Sequence, residues 1–249
     1  MRKKKGRRIA ACLVLTLSVP VMALAGWRLA GIWQSNREGR DSYARLADSV
    51  RRELPARDTD AGGRVIDFAA LQAVSPDAVA WLECPGTVID YPVMRAADYN
   101  HYLHRLPDGS YNANGSLFID FNCAPDFTDQ LTVVYGHNMK SGQMFGSLTK
   151  YKDQAYYREH PYFLLYTAGG GAAQRIDLLY GCVIDAAQWR ERAFSYQVNL
   201  EALLAYAAYN TTFDSQTQYS PEDRVVALST CSYEFEGARY VVLGVLRSQ

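Results

Sequence analysis

The sequence predicts a mainly β domain, a barrel or a sandwich, carried behind an N-terminal membrane segment. Three observations point there. From Val79 onward, short apolar runs alternate with Pro, Gly and Asn turn residues. Nearly half of the 249 residues are apolar and 12% are aromatic, which supports a core and argues against disorder. A basic N-terminus runs directly into an uncharged stretch.

Arg2, Lys3, Lys4, Lys5, Arg7 and Arg8 crowd a leader over residues 1–8. Ile9 to Trp27 then contains no charged residue. At ~1.5 Å per residue, that run is about long enough to cross a ~30 Å hydrocarbon layer. The positive-inside rule would hold the leader in the cytoplasm and put the rest of the chain outside the cell. Ala23-Leu24-Ala25 also reads as a signal-peptide cleavage site. The run is longer than a usual signal core, however, and Trp27 and Trp33 suit a membrane interface, so the reading is a retained anchor over 9–33. Pro20 is tolerable in a membrane helix.

Residues 34–63 read as a helical stalk and linker. Tyr43, Leu46, Val50 and Leu54 recur at spacings of three and four, and Thr59-Asp60-Ala61-Gly62-Gly63 closes the segment as a turn. The folded domain spans 64–249. It opens on a short helix, Phe68 to Val74. Expected strands are Val79–Glu83, Val88–Met94, Ser116–Asp120, Leu131–His137, Tyr162–Tyr166, Gln174–Asp185, Arg224–Cys231 and Arg239–Arg247. Helical insertions are expected over Gly146–His160 and over Leu200–Tyr209, where Leu200, Leu203, Leu204 and Ala207 share one face. Gly169-Gly170-Gly171 reads as a hairpin tip; it lacks the Lys and Ser/Thr of a phosphate loop.

A formal net charge of zero gives no global field to attract nucleic acid. The five cysteines show no CxxC spacing, and His101 and His104 have no acidic or cysteine cluster beside them, so neither a metal nor another cofactor is expected. Cys84, Cys123 and Cys182 read as small buried hydrophobes.

The chemistry gathers near the C-terminus. Cys231 ends an apolar strand, a charged turn follows, and Arg239 opens the next strand. Two neighbouring strands would bring both to one end of a sheet. A thiol needs a nearby cation to become a thiolate, and an arginine supplies a permanent one that also stabilises an oxyanion. His137, in Tyr135-Gly136-His137-Asn138-Met139, ends another apolar strand before a polar loop, a natural place for an imidazole to act on a barrel rim.

Leu228-Ser229-Thr230-Cys231, with Arg239 eight residues on, resembles the signature of the sortase family. Tyr135 to Met139, Met144-Phe145-Gly146-Ser147-Leu148, the run Pro85 to Val93 and the run Gly115 to Asp120 are similar to motifs of its class B, in the family's order, from about Ala80 to Leu246. The resemblance implies an eight-stranded, mostly antiparallel barrel with helices at its N-terminus and between the sixth and seventh strands. It implies a transpeptidase that cleaves exported proteins at a C-terminal sorting motif after Thr, then transfers the acyl group to an amine of a cell-wall peptide or a pilin lysine. Mapped here, Cys231 is the nucleophile, His137 the acid and base, and Arg239 the oxyanion stabiliser, with the thiolate–imidazolium pair a minority of the resting population. Ser229, Thr230, Tyr233 and Glu234 are expected to contact substrate. A hydrolytic cysteine peptidase and an inactive anchored binding module are the alternatives.

Overall fold

The computed structural model describes residues 2–53, 64–169, 172–189 and 196–247. It divides into two compact units, Met1–Glu38 and Gly39–Gln249. The first consists of the leading part of a long helix, α1 (Arg2–Val50). Val19, Val21, Met22, Leu24, Trp27, Leu29, Ile32 and Trp33 are all exposed on it. Among the described residues, no helix is long and apolar enough to cross a membrane. The side chains of residues 9–15, the first part of the expected anchor, lie outside the described residues.

In the second unit, eight strands close into a barrel: β3 (Ala78–Glu83), β4 (Asp90–Met94), β5 (Leu117–Ile119), β6 (Leu131–Tyr135), β7 (Tyr162–Thr167), β8 (Gln174–Asp185), β9 (Arg224–Cys231) and β10 (Ala238–Arg247). Around the barrel they run β10-β8-β7-β3-β4-β5-β6-β9. Six of the neighbouring pairs are antiparallel, whereas β4–β5 and β6–β9 are parallel. Each expected strand is present, with ends moved by a residue or two. Two three-residue strands, β1 (Arg51–Glu53) and β2 (Arg64–Ile66), pair outside the barrel and were not expected. They are too short to leave a pattern in the sequence. The expected turn at Thr59–Gly63 falls outside the described residues, as do Leu54 and part of the Gly169–Gly171 tip.

β9 and β10 are apolar on both faces, and the packing explains why. Val226, Leu228, Tyr240 and Val242 point into the barrel. Val225, Ala227, Val241, Leu243 and Val245 point outward, against Leu200, Leu203, Leu204 and Ala207 of α4 (Tyr196–Tyr209). Those four helical positions are all buried, as their spacing predicts. The expected helical insertion over Gly146–His160 resolves into a 3-10 turn, Leu148–Lys152, and α3 (Gln154–Glu159). Asp153 separates them because its side chain caps the Ala155 amide at 2.8 Å.

A third cluster joins the end of α1 to the barrel. Leu46 and Val50, read from the sequence as part of a stalk's apolar face, are buried together with Ala47, Leu71 of α2 (Phe68–Val74), Trp81 and Phe118. Tyr43 belongs to the barrel core, and its hydroxyl donates to the Gly115 carbonyl at 2.6 Å. Arg51 pairs with Asp90, whose other oxygen accepts from the Trp81 indole at 2.7 Å. These contacts fix the end of α1 against the wall that supports the site.

Candidate active site

Strand pairing assembles the site. β6 and β9 are parallel, so both end at the same rim, and antiparallel β10 begins there. Cys231 is the last residue of β9, and its register partner is Arg239. By alternation along a strand, Cys231 continues the outward row of Val225 and Ala227, and Arg239 continues that of Val241 and Leu243. Below Ser229 and Val241, the rows are apolar and packed against α4. At the rim they become a thiol and a guanidinium. The Arg239 guanidinium donates a hydrogen bond to the Cys231 sulfur. Cys231 is partly accessible, whereas Cys84, Cys123 and Cys182 are buried.

His137 follows β6 and is laced to β9 by its neighbours. The Gly136 amide donates to the Ser229 carbonyl at 3.1 Å, and the Thr230 hydroxyl donates to the Gly136 carbonyl at 2.7 Å. The Asn138 side-chain amide donates to the Cys231 carbonyl at 2.7 Å. Residue 136 must be glycine because a Cβ there would lie 2.5 Å from Leu117 and 2.6 Å from Phe145. The structure thus brings all three predicted catalytic residues to one rim.

The imidazole is held from its edge and its face. Nε2 of His137 is 2.6 Å from the Leu103 carbonyl oxygen, so it bears the hydrogen and leaves Nδ1 to gain and lose a proton. The His104 ring stacks on His137, with centroids 5.7 Å apart and planes 20° from parallel. Burial pushes the His137 pKa below its ordinary value. The Leu103 hydrogen bond opposes that shift, and the charges of His104 and Arg239 add to it. The imidazole is therefore neutral at rest at neutral pH.

The expected substrate contacts divide. Tyr233 is exposed on the β9–β10 turn. Glu234 pairs with Lys152, which also donates to the Ser232 hydroxyl at 3.1 Å and lies 5.0 Å over the Tyr240 ring. Ser229 and Thr230 are 1% and 2% exposed, and the Thr230 hydroxyl is committed to Gly136. Asn138, Lys152 and the Leu103 carbonyl were not picked out from the sequence. A backbone carbonyl leaves no signal there at all. Among the described residues, no group of His, Cys, Asp and Glu is arranged to hold a metal ion.

No protein-family model matches the chain. It is similar to sortase B of Listeria monocytogenes, at 31% identity over 238 residues, covering 93% of this chain and 95% of that one. Among solved structures, a Bacillus anthracis protein described as similar to sortase B matches with a TM-score of 0.71 at 26% identity, over 86% of this chain and 97% of that one. The complex of Staphylococcus aureus sortase B with its substrate shares the fold, with a TM-score of 0.72 at 21% identity over 86% of this chain and 99% of that one.

Proposed function

This chain belongs to the class B sortases and is a cysteine transpeptidase; from that membership we propose that it cleaves exported proteins at a C-terminal sorting motif, after Thr, and transfers the acyl group from Cys231 to an amine of a peptidoglycan precursor or a pilin. The hydrogen bond between Arg239 and the Cys231 sulfur is the observation that carries this reading. It puts a permanent cation where a thiolate must form and where an oxyanion would develop.

In the first step, the Cys231 thiolate attacks the Thr carbonyl and Arg239 stabilises the tetrahedral oxyanion. His137 gives its Nδ1 proton to the leaving amine as the amide breaks and a thioester forms. In the second step, the acceptor amine attacks the thioester and loses a proton to Nδ1. A new amide forms, and the thiolate–imidazolium pair returns. The lowered pKa of His137 is consistent with that pair being the minor resting form. Tyr233 and Glu234, on the turn after the nucleophile, are the residues we assign to substrate contact. Ser229 and Thr230 lie behind it and shape the strand end.

The reading includes a single-pass cell-membrane protein, with residues 1–8 cytoplasmic, 9–33 in the membrane and the barrel outside the cell. Its support is the uncharged run behind a basic leader and the large apolar side chains exposed along α1. Incubating the full chain with a library of peptides ending in sorting-like motifs, with and without triglycine, tests the function. Transfer product that rises with triglycine and vanishes in Cys231→Ala is expected. Product that ignores the amine would overturn it.

A further inference from the structure

The 3-10 turn His101–His104 lies outside every motif that identified the family, yet it holds the proposed acid and base twice. Leu103 presents its carbonyl to Nε2 of His137, and the next residue lays an imidazole on the ring face. Resting on the assignment of His137 above, we propose that His104 is a positioning residue for the transfer reaction: its ring holds His137 in the orientation that presents Nδ1, and its charge opposes protonation of His137.

The turn is built to keep its shape. Tyr102 is buried, and its hydroxyl donates to Asp77 at 2.7 Å. The Ser116 amide donates to the Tyr102 carbonyl at 2.9 Å, and the Asn112 amide to the His104 carbonyl at 3.0 Å. Gly115, at φ +58°, lets the next segment approach so closely that a Cβ would lie 2.4 Å from the Leu103 oxygen. That oxygen is therefore fixed from behind, and the imidazole it holds is fixed with it.

His104 is exposed. The groups facing the stacked pair are Tyr111, whose ring is 6.1 Å from that of His104, Arg239, which depresses His137, and Arg105, which turns aside to His101 at 3.0 Å. Unlike a phenyl ring, a charged imidazole places a cation on the face of its neighbour, and the charge of His104 lowers the pKa of His137. That cation opposes protonation of His137, the form that must donate to the leaving amine.

Three variants separate ring from charge. His104→Phe keeps the stack without the charge, His104→Ala removes both, and His104→Arg makes the charge permanent. Each is read by 15N NMR titration of His137 in the full chain and by kcat and KM for triglycine transfer with the best peptide of the library. A fall in kcat of about three- to tenfold is expected for His104→Ala, with KM little changed and kcat restored in His104→Phe. The His137 midpoint should rise in His104→Phe and fall in His104→Arg. Wild-type kcat in His104→Ala, failure of phenylalanine to rescue, or a midpoint indifferent to all three variants would each overturn the proposal. His137→Ala is the control: if it keeps full activity, the assignment of the base fails, whatever His104 does.

Discussion

The Arg239 guanidinium and the Cys231 thiol form a hydrogen bond across a single register pair of β9 and β10. Both groups sit on paired backbone positions, so the spacing between cation and sulfur is set by the sheet itself.

That contact is made by a guanidinium nitrogen. Arg239→Lys retains the charge but loses the guanidinium geometry, and kcat for transfer should fall by about 10²- to 10³-fold, as for other lost oxyanion donors. Single-turnover kinetics would measure it. Cys231→Ala should yield no acyl-enzyme in intact-protein mass spectrometry.

Thiol reactivity should follow exposure. Among Cys84, Cys123, Cys182 and Cys231, iodoacetamide at neutral pH should label Cys231 in the folded protein and the other three only after unfolding. Burial pushes the Cys84 thiol up to about 11, so it is protonated as well as covered. Peptide mapping after short labelling reads the outcome.

His137 should titrate below 6.5, the ordinary histidine value, because burial is the largest influence on it. Arg239→Gln removes one of the opposing charges and should move the midpoint upward. The sign for stability follows: the unfolded chain binds the extra proton between the lowered value and 6.5, so acidification through that window destabilises the fold. NMR titration and denaturant melts at several pH values check the two halves separately.

Tyr43→Phe should cost about 1–2 kcal/mol, measured by urea unfolding, since it strips a hydrogen bond from the buried Gly115 carbonyl and another from Ser116. The loss should also reach the rate, because Gly115 backs the Leu103 oxygen that orients His137. Thr230→Val should act similarly through Gly136.

Much of this was legible in the letters, for identifiable reasons. Eight strands left apolar runs with turn residues between them, and α4 left Leu200, Leu203, Leu204 and Ala207 at helical spacing. Cys231, His137 and Arg239 are distinctive residue types at strand ends. What the letters hid depends on the backbone or on long-range contact. The Leu103 carbonyl has no side-chain signature. His104, weighed only as half of a metal pair with His101, acquires a partner through a stacking contact 33 positions along the chain. Ser229 and Thr230 stand beside the nucleophile in sequence, yet both are buried, and the Gly136 carbonyl takes the Thr230 hydroxyl. The last turns of α1 carried the right apolar spacing, but nothing in that spacing named the barrel as the surface they cover.

The parallel seam of β6 and β9 has a bearing on when the enzyme becomes reactive. Asn138 and Cys231 are 93 positions apart, and the seam that joins them cannot close until everything between has been accommodated. Until that seam closes, Cys231 has no imidazole beside it. Potency therefore depends on a long-range closure rather than on either strand alone. Stopped-flow refolding with a thiol-reactive probe should show Cys231 gaining its enhanced reactivity in the slowest phase.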